Sequence, residues 1–169
     1  EAGVPVKMML DRSGEQTSAG NRPDALQKLR MGVNKDGVIQ GLQIRSWGTP
    51  GSGTGGAGAH NDGIYKLGEV DKVEYGVRTN CGGARAHRAP GWPQGSFALE
   101  QMMDMAANSI EGVDPIEFRK RNLPRTQPEN GTAYGTRQLA ECLEQGAARF
   151  GWDARQAPGA RREGEWLIG

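Results

Sequence analysis

The stretch HRAPGWPQ at residues 87–94 combines cationic, proline and indole side chains in one short connection. Pro90 disfavours the right-handed helical conformation at Ala89, and Gly91 can adopt a positive φ. A turn of this composition has little conformational entropy left to lose, so it can present backbone N–H groups and the Arg88 cation to an anion. A purely structural connection between a strand and a helix is the alternative, and the residues alone leave both interpretations open.

The glycine-rich stretch GSGTGG at residues 51–56 matches the GxGxxG pattern of dinucleotide-binding loops. That pattern binds pyrophosphate only when a helix begins immediately after it, because the helix N-terminus supplies the N–H groups. The residues that follow, AGAHNDGIY, have no helical periodicity, and the sequence has no Gly-Lys-Ser/Thr ending of a P-loop. We therefore predict a flexible or closely packed backbone loop rather than a nucleotide site.

Cysteine, histidine and methionine residues do not predict a metal site. Cys81 and Cys142 lie far apart and outside any CxxC motif, and neither His60 nor His87 has metal-ligand spacing to them. The methionine-rich stretch 102–105 places two methionines on the apolar face of a predicted helix, where methionine is an ordinary core residue. We predict core packing for these methionines and no structural zinc site.

The run FRKRN at residues 118–122 forms a basic cluster with Arg125. A nucleic-acid site would need positive charge over several faces together with exposed aromatic residues. Asp114, Glu117 and Glu129 surround the cluster instead, and the whole chain has 21 Lys and Arg against 20 Asp and Glu. We interpret the cluster as a solvated helix face or as an ion-pairing site for a neighbouring domain. We expect neither nucleic acid nor a membrane span.

The elements that position these motifs begin with strands. Alternating apolar residues predict a hairpin over residues 29–44, with its turn at Asp36-Gly37. The apolar stretch 4–10 predicts a buried strand before the hairpin, and residues 72–80 predict a short strand after it. The first half of the chain is therefore expected to be rich in strands.

The second half has the periodicity of helices. Apolar residues recur at three- and four-residue steps over 99–110, and Gly112 ends this pattern. Asp114 and Glu117 have the spacing of a capping box, with a proline at the first helical position. A last helix is predicted over 136–150. Strands followed by helices predict the α+β class.

Composition limits how the chain can be organised. Its 169 residues suffice for one domain, and no apolar run approaches the ~18 residues of a transmembrane helix. The 27 glycines and the hydrophobic content of 36% favour a segment that rests against other protein, so we expect an interior piece of a larger chain. Residues 48–63 are predicted to be a glycine-rich linker and residues 151–169 a polar one.

The order of several motifs resembles that of a known family. A Thr-Asn pair at residues 79–80, the Arg-Ala-Pro-Gly and Pro-Gln loop at 88–94 and a Gly-Val-Asp-Pro segment at 112–122 follow one another. The stretch MMLDRSGEQTSAGNRP at residues 8–23 is similar to the family's strand that ends in Asp-Arg. Over about residues 6–152 the chain resembles the molybdenum-binding subunit of the xanthine dehydrogenase and aldehyde oxidase family.

The resemblance implies a segment of a molybdopterin-binding domain, with strands and a hairpin followed by two or three helices. One partial domain, residues 1–169, would comprise a strand-rich part, an active-site loop, a helical part and a linker: 4–80, 81–95, 96–150 and 151–169. In the family the backbone at the positions of Arg88 and Ala89 approaches the cofactor, and His87, Pro90 and Trp92 would line the substrate pocket. No metal ligand and no catalytic residue is implied here, because the family's glutamate base lies outside this segment.

The implied activity is hydroxylation of an aldehyde or an N-heterocyclic carbon at a molybdenum–molybdopterin centre, with water as the oxygen source. The cytosine dinucleotide form of the cofactor is expected, with iron–sulfur clusters, and FAD as a further candidate, on partner chains. The implied partners are the rest of the molybdenum subunit, an iron–sulfur subunit, a candidate flavin subunit and a small-molecule substrate. Cytoplasmic and periplasmic locations both stay open. The alternative is a non-catalytic scaffold or assembly module that inherited the molybdopterin-binding fold.

Departures from the family's pattern bear on the substrate. Purine-oxidising members have a stacking phenylalanine where Pro90 stands, and a substrate-binding arginine that would fall near Gly56. The family's upstream Phe-Gly loop is also missing, and GSGTGGAG does not replace it. These differences favour an aldehyde or another small organic substrate over xanthine.

Overall fold

Two compact units make up the chain, residues 1–124 and residues 125–169. The structure, a computed structural model, describes residues 2–53, 62–128, 130–157 and 159–168. The elements of the first unit are α1 (Arg12–Gly14), β1 (Ala25–Val33), β2 (Ile39–Gly51), β3 (Glu69–Arg78), α2 (Trp92–Asn108) and α3 (Pro115–Arg121). Those of the second unit are α4 (Leu139–Phe150), β4 (Arg161–Glu163) and β5 (Trp166–Ile168). This composition confirms the predicted α+β class.

The predicted hairpin is confirmed. β1 and β2 pair antiparallel, with Leu29 opposite Ile44, so the apolar side chains of both strands share the buried face. Asn34 closes the turn, because its Oδ1 accepts from the N–H of Val38 at 2.8 Å and from the N–H of Asp36 at 3.1 Å. The alternation of apolar and polar residues therefore determined both the pairing and the face that is buried.

The third strand extends the sheet in the order β1-β2-β3 and runs parallel to β2. Its bounds, 69–78, lie close to the predicted 72–80. The prediction of a linker from residue 48 is wrong at its start, because β2 continues to Gly51. Pairing with β3 satisfies the backbone there, where the glycines lower the intrinsic strand propensity. Residues 54–61 of that predicted linker lie outside the described residues.

The predicted strand over residues 4–10 is wrong. Its side chains are exposed, Met9 to 83%, and no strand pairs with it within the described part of the chain. An apolar run forms a strand only where a neighbour satisfies its N–H and C=O groups, and composition alone cannot supply that neighbour. The segment ends at the N-cap Asp11, whose Oδ1 accepts from the N–H of Gly14 at 2.7 Å. A π-helical turn, Glu15–Ala19, follows α1.

The helix α2 begins at Trp92, four positions before the predicted boundary at residue 96. Gly91 at its N-cap has φ +80°, and Pro93 occupies the first turn, where its missing N–H costs no hydrogen bond. The apolar stripe is confirmed, because Leu99 and Met103 are buried. In the described ranges, no helix is long and apolar enough to cross a membrane.

The helix α3 has the N-cap that the sequence predicts. Asp114 Oδ1 accepts from the N–H of Ile116 at 2.8 Å and from that of Glu117 at 3.4 Å. The Glu117 carboxylate pairs with Lys120 at 2.7 Å along the same helix. The hydrophobic core lies between the sheet, α2 and α3, and consists of Ile39, Leu42, Ile44, Tyr65, Leu67, Leu99, Met103, Ala106, Ala107 and Phe118.

Asn122 joins three parts of the first unit at the end of α3. Its Nδ2 donates to the carbonyls of Gly37 and Phe118, each at 2.8 Å, and its Oδ1 accepts from the N–H of Ile39 at 2.9 Å. Its backbone carbonyl accepts from the N–H of Lys66 at 2.7 Å. The side chain is 1% exposed, so these hydrogen bonds are formed away from water. The side-chain amide of Asn122 thereby ties α3 to the start of β2, and its backbone carbonyl ties α3 to the segment before β3.

Arg119 of the basic cluster pairs within its own unit, which corrects the prediction of a solvated face or a site for a neighbouring domain at that residue, whereas Arg121 and Arg125 are exposed. Arg119 contacts Glu100 Oε2 at 2.7 Å and Asp104 Oδ1 at 2.6 Å, both on α2. Burial alone would lower the pKa of Arg119, but the hydrogen bonds to Asp104 and Glu100 outweigh it and raise the pKa. The hydroxyl of Tyr65 donates to Glu100 Oε1 at 2.9 Å and so completes the cluster. These contacts fix α2 to α3.

Tyr65 makes stability sensitive to alkaline pH. Burial, followed by the charge of Glu100, raises the pKa of Tyr65 above its ordinary value of 10.0. Below pH 10 both states hold the phenolic proton, whereas above it only the unfolded chain releases the proton, so stability falls as pH rises. We expect the free energy of unfolding, measured with urea, to fall by up to about 1.4 kcal/mol per pH unit above pH 10. The Tyr65→Phe variant should lack this dependence on pH. An identical slope in Tyr65→Phe would contradict this assignment, and Tyr75→Phe controls for the loss of a hydroxyl at an exposed ring.

The second unit contains more regular structure than the sequence predicts. The last helix, predicted over 136–150, is confirmed over Leu139–Phe150. The polar linker predicted over 151–169 is wrong, because it contains a 3-10 turn, Trp152–Ala154, and the antiparallel pair β4 and β5. The guanidinium of Arg155 stacks on the Trp152 ring at 3.9 Å, which gives this polar segment a local contact that composition does not reveal.

Candidate functional site

The carboxyl ends of β2 and β3 lie side by side at one edge of the sheet, because the two strands are parallel. Residues 79–91 leave this edge and lead into α2. Their last part, residues 88–91, is the Arg88 turn. The connection therefore brings the predicted site residues to the edge where parallel strands end, between the sheet and a helix N-terminus.

Backbone hydrogen bonds fasten the first part of this connection to the end of β2. The N–H of Thr79 donates to the carbonyl of Gly51, and the N–H of Ala84 donates to that of Pro50, both at 3.1 Å. The path of the connection is thus determined before the chain reaches the Arg88 turn.

Gly51 permits the close approach of these two segments. It adopts φ +75°, and a Cβ at this position would overlap the carbonyl oxygen of Gly82. Only glycine both accepts this φ and leaves the space free. The first glycine of GSGTGG therefore serves backbone packing, as one of the two predicted interpretations states, while residues 54–56 of that motif lie outside the described ranges.

Arg22 holds the Arg88 turn from the other side. Its Nη2 donates to the carbonyl of Arg88 at 2.8 Å, and its Nη1 donates to the carbonyl of Ala89 at 3.0 Å. The two N–H groups of one planar guanidinium therefore bind two consecutive carbonyls. These charge-assisted hydrogen bonds link the segment before β1 directly to the turn.

The Arg88 turn contains an unusual backbone conformation at Ala89. Its φ is +57°, the single positive value of a non-glycine residue in the described part of the chain. The sequence correctly places Ala89 outside the right-handed helical region, but the residue occupies the left-handed side, which costs about 1 kcal/mol for an alanine. The N–H of Trp92 donates to the Ala89 carbonyl at 3.2 Å, and Gly91 follows at φ +80°. The strain lies in the residue that the sequence assigns to a cofactor.

The N–H of Ala89 points away from Arg22. No peptide bond in the described residues is cis, so the Arg88 carbonyl and the Ala89 N–H point in opposite directions within their shared peptide plane. Since that carbonyl accepts from Arg22, the N–H faces the opposite side. Among the described residues this N–H has no acceptor. The turn therefore presents one oriented backbone donor outward.

Gln94, which lies five positions after Ala89 in the first turn of α2, supplies an unsatisfied acceptor. Its Nε2 donates to the carbonyl of Pro23 at 3.2 Å. Its Oε1 is buried and lacks a hydrogen-bond partner in the part of the chain that the structure describes. A buried amide oxygen without a donor costs about 1–3 kcal/mol, so it identifies a place where a further N–H or O–H group would bind favourably.

The residues that the sequence assigns to the site lie on this turn or directly beside it. His87, Arg88, Ala89 and Pro90 are exposed, and Trp92 is 53% exposed. Trp92 belongs to the first turn of α2, which corrects its placement within a loop that extends to residue 95. The side chains of these residues are accessible, and their roles toward a cofactor or a substrate remain predictions.

Sequence reasoning missed two residues that organise the site, Arg22 and Gln94. Both were noticed as parts of motifs, but no local pattern connects them to the turn. The acceptors of Arg22 lie 66 and 67 positions away in the chain, a separation at which a single sequence carries no pairing signal. Co-variation of position 22 with positions 88 and 89 among relatives is the signal that could have found this contact.

The described residues contain no group of three His, Cys, Asp or Glu side chains that could hold a metal ion. Cys81 and Cys142 are free and exposed. The chemistry available at the turn and at the start of α2 is therefore that of a backbone donor, a buried amide acceptor and the exposed Arg88 cation. Such a set suits a polar heterocycle or an anion.

Comparison with known proteins assigns this arrangement to a family. The family model of the molybdopterin cofactor-binding domain matches residues 1–123, which include the sheet, the Arg88 turn, α2 and α3. The molybdenum-binding subunit of aldehyde oxidoreductase from Escherichia coli K12 is 38% identical over 178 aligned positions, which cover 98% of this chain and 23% of that protein. The xanthine dehydrogenase molybdenum-binding subunit of Escherichia coli O157:H7 is 33% identical, and the alignment covers 96% of this chain and 23% of that protein.

A solved structure confirms the fold. The aldehyde oxidoreductase of Desulfovibrio desulfuricans superposes with a TM-score of 0.69 at 24% identity, over 79% of this chain and 16% of that one. The chain thus spans less than a quarter of the length of the curated relatives it matches.

Proposed function

Because the chain belongs to the molybdopterin cofactor-binding domain family, we propose that its Arg88 turn forms part of the cofactor cradle and one wall of the active site in a molybdenum hydroxylase. The observation that carries the proposal is the outward N–H of Ala89, which Arg22 and the turn hold in one direction. Family membership confirms the resemblance to the xanthine dehydrogenase and aldehyde oxidase proteins. The activity of the whole protein belongs to this proposal.

The residues present fit a molybdopterin. Molybdopterin has hydrogen-bond donors and acceptors along the edge of its pterin ring and carries a phosphate on its side chain, so it can satisfy a backbone N–H and a buried amide oxygen. Ala89 N–H and Gln94 Oε1 both lack a partner among the described residues. When bound, the molybdenum–pterin group supplies the oxidation of the substrate carbon, with water as the oxygen source.

In this proposal the chain's own residues bind the cofactor and orient the substrate. Ala89 donates its N–H, and the exposed Arg88 guanidinium supplies a positive charge beside it. His87, Pro90 and Trp92 are exposed next to that donor and form the wall against which a small substrate packs. Because Pro90 is rigid and has no aromatic ring, it suits an aldehyde better than a purine that requires stacking.

The partners follow from the family. The remainder of the molybdenum subunit contributes the glutamate base, and an iron–sulfur chain, with a flavin chain as a further candidate, accepts the electrons. The cofactor form that we propose is the cytosine dinucleotide. The name of the first relative above, an aldehyde oxidoreductase molybdenum-binding subunit, supports the aldehyde class and the assignment to a multi-chain enzyme.

Arg88→Ala in the complete subunit tests the proposal. The Arg88 side chain is exposed, so its removal should change the melting temperature by no more than about 1–2 °C. We expect the rate of aldehyde oxidation to fall about tenfold or more, because a positive charge beside the reaction centre is lost. Arg30→Ala, which removes an equally exposed cation from β1, is the control and should keep full activity. A drop in melting temperature that accounts for the loss of activity would instead support a structural role.

A further inference from the structure

We propose that Arg22 is a positioning residue for the cofactor turn, and that it holds Ala89 in the left-handed conformation that aims its N–H outward. The inference rests on the proposed function. It adds a residue outside the turn itself and assigns that residue a role in cofactor retention, separate from the stability of the fold.

The geometry of the contact requires the turn at Ala89. In an extended chain consecutive carbonyls point to opposite sides, so one planar group cannot bind two of them. The carbonyls of Arg88 and Ala89 are consecutive, yet Nη2 and Nη1 of Arg22 bind them at 2.8 Å and 3.0 Å. The φ of +57° at Ala89 lies between these two carbonyls. The left-handed conformation and the bidentate contact therefore support each other.

The strain at Ala89 requires a compensating interaction. An alanine at positive φ persists only where its surroundings hold it there. The carbonyl of Ala89 itself accepts from the Trp92 N–H at 3.2 Å and from Arg22 Nη1 at 3.0 Å. The Trp92 contact would exist in many turns, whereas Arg22 binds both carbonyls and so fixes the orientation of the peptide plane between residues 88 and 89.

Arg22 is itself held in place on both sides. The N–H of Arg85 donates to the carbonyl of Asn21 at 3.1 Å, and Gln94 Nε2 donates to the carbonyl of Pro23 at 3.2 Å. The residues before and after Arg22 are thus bound to the connection that contains the turn. The guanidinium starts from a fixed backbone, so little freedom is lost when it binds the two carbonyls.

The acceptors of Arg22 are neutral, and this adds an electrostatic effect. Among the described residues no carboxylate pairs with its guanidinium. Within the described residues its positive charge therefore has no carboxylate in direct contact, and it lies behind the peptide whose N–H points to the cofactor side. A cation in this position favours an anionic group bound at the turn.

Arg22→Ala and Arg22→Lys in the complete holoenzyme test the inference. Lysine keeps the charge but lacks the planar pair of donors, so it can preserve one carbonyl contact and not the fork. We expect molybdenum and pterin to be lost about tenfold to a hundredfold faster from Arg22→Ala than from the unmutated enzyme, and at an intermediate rate from Arg22→Lys. Metal and pterin retained after timed gel filtration are the readouts, with Arg30→Ala as the control.

A second readout reports on the turn without any cofactor. Trypsin cleaves after Arg88 only when the turn can adapt to the protease, so cleavage at this bond in the cofactor-free complete subunit should be about tenfold or more faster in Arg22→Ala. The bond after position 22 precedes Pro23 and is resistant to trypsin with either Arg or Lys there, so the substitutions do not change the other cleavage products at that site. Cleavage at Arg88 is followed by mass spectrometry.

The outcomes separate the inference from the proposed function. If the unmutated subunit retains molybdenum and pterin while Arg22→Ala retains them equally long and is cleaved at Arg88 at the same rate, the role of Arg22 is overturned. If the unmutated subunit binds no molybdopterin, the proposed function fails, while faster cleavage in Arg22→Ala still shows that Arg22 orders the turn. A fall in the melting temperature of Arg22→Ala, with cofactor loss in proportion to unfolding, would overturn the positioning role in favour of a structural one.

Discussion

Asn122→Ala is expected to lower the free energy of unfolding of the first unit by about 3–5 kcal/mol. The substitution leaves the carbonyls of Gly37 and Phe118 and the N–H of Ile39 without their partner, in a position that is 1% exposed. Each buried group without a hydrogen bond costs about 1–3 kcal/mol, and relaxation around the smaller side chain recovers only part of the sum. Urea unfolding followed by circular dichroism measures the difference.

Two further variants test whether the lost hydrogen bonds cause the destabilisation of Asn122→Ala. Asn122→Asp keeps the acceptor for Ile39 but places a carboxylate against the carbonyls of Gly37 and Phe118, so it should destabilise at least as much as alanine. Asn108→Ala, at the exposed end of α2, should change the free energy by no more than about 0.5 kcal/mol. A loss below about 1 kcal/mol for Asn122→Ala would show that the observed hydrogen bonds contribute little.

Ala89→Val is expected to reduce the molybdenum bound per complete subunit about tenfold, whereas Ala89→Gly should leave it unchanged. Valine is branched at Cβ and strongly disfavours the φ of +57° that Ala89 adopts, so the peptide between residues 88 and 89 must rotate. Glycine accepts this conformation without strain. The comparison therefore changes backbone preference at an exposed position without changing any charge or hydrogen-bonding side chain.

The free energy of unfolding should also fall more in Ala89→Val than in Ala89→Gly, but both changes should be small. Because residue 89 is exposed, Ala89→Val should cost about 1–2 kcal/mol and Ala89→Gly less than about 1 kcal/mol in either direction. Plasma emission measures the molybdenum, and thermal unfolding measures the stability of the same samples. Equal molybdenum in both variants would contradict the assignment of the Ala89 N–H to the cofactor.

The fold places this turn by means of contacts on both sides of α2. Arg119 binds Glu100 and Asp104, and it thereby fixes the body of the helix against α3. Hydrogen bonds from Thr79 and Ala84 fasten the other end of the connection to β2. The Arg88 turn lies between two anchored elements, so its strained conformation can be maintained by the rest of the unit.

Sequence patterns predicted the elements whose partners are near in the chain. The hairpin of β1 and β2 follows from alternation around a tight turn, and the N-cap of α3 follows from Asp114 and the proline after it. Both signals act within a few residues, so they do not depend on how the chain folds elsewhere. The apolar stripe of α2 has the same origin.

Predictions that required a distant partner were the ones that failed. Residues 4–10 have the composition of a buried strand, but they are exposed, and no described strand pairs with them. The acids that pair with Arg119 lie 15 and 19 positions earlier, so the sequence did not indicate that Arg119 pairs within its own unit. Local composition determines which conformations a segment tolerates, and tertiary contacts decide among them.

The candidate site shows the same division. The composition of the Arg88 turn indicated a rigid connection with an oriented backbone, and the resemblance to a family assigned it to a molybdenum cofactor. The conformation of Ala89 and the contact with Arg22 were not predictable, because they depend on a side chain 66 positions away. The exposed residues of the turn were thus named from sequence, while Gln94, whose Oε1 meets the cofactor in the proposal, and Arg22, which positions the turn, were found from the structure.

Molybdenum and pterin in the complete protein, purified from its native source, test the central claim most directly. Plasma emission for the metal, combined with the intact masses of the co-purifying chains, gives the composition in one experiment. The proposal predicts molybdenum equimolar with the subunit, a molybdopterin and an iron–sulfur chain in the same complex. A protein that carries neither molybdenum nor pterin and has no partner chains would contradict the proposal and leave the non-catalytic scaffold as the function of this fold.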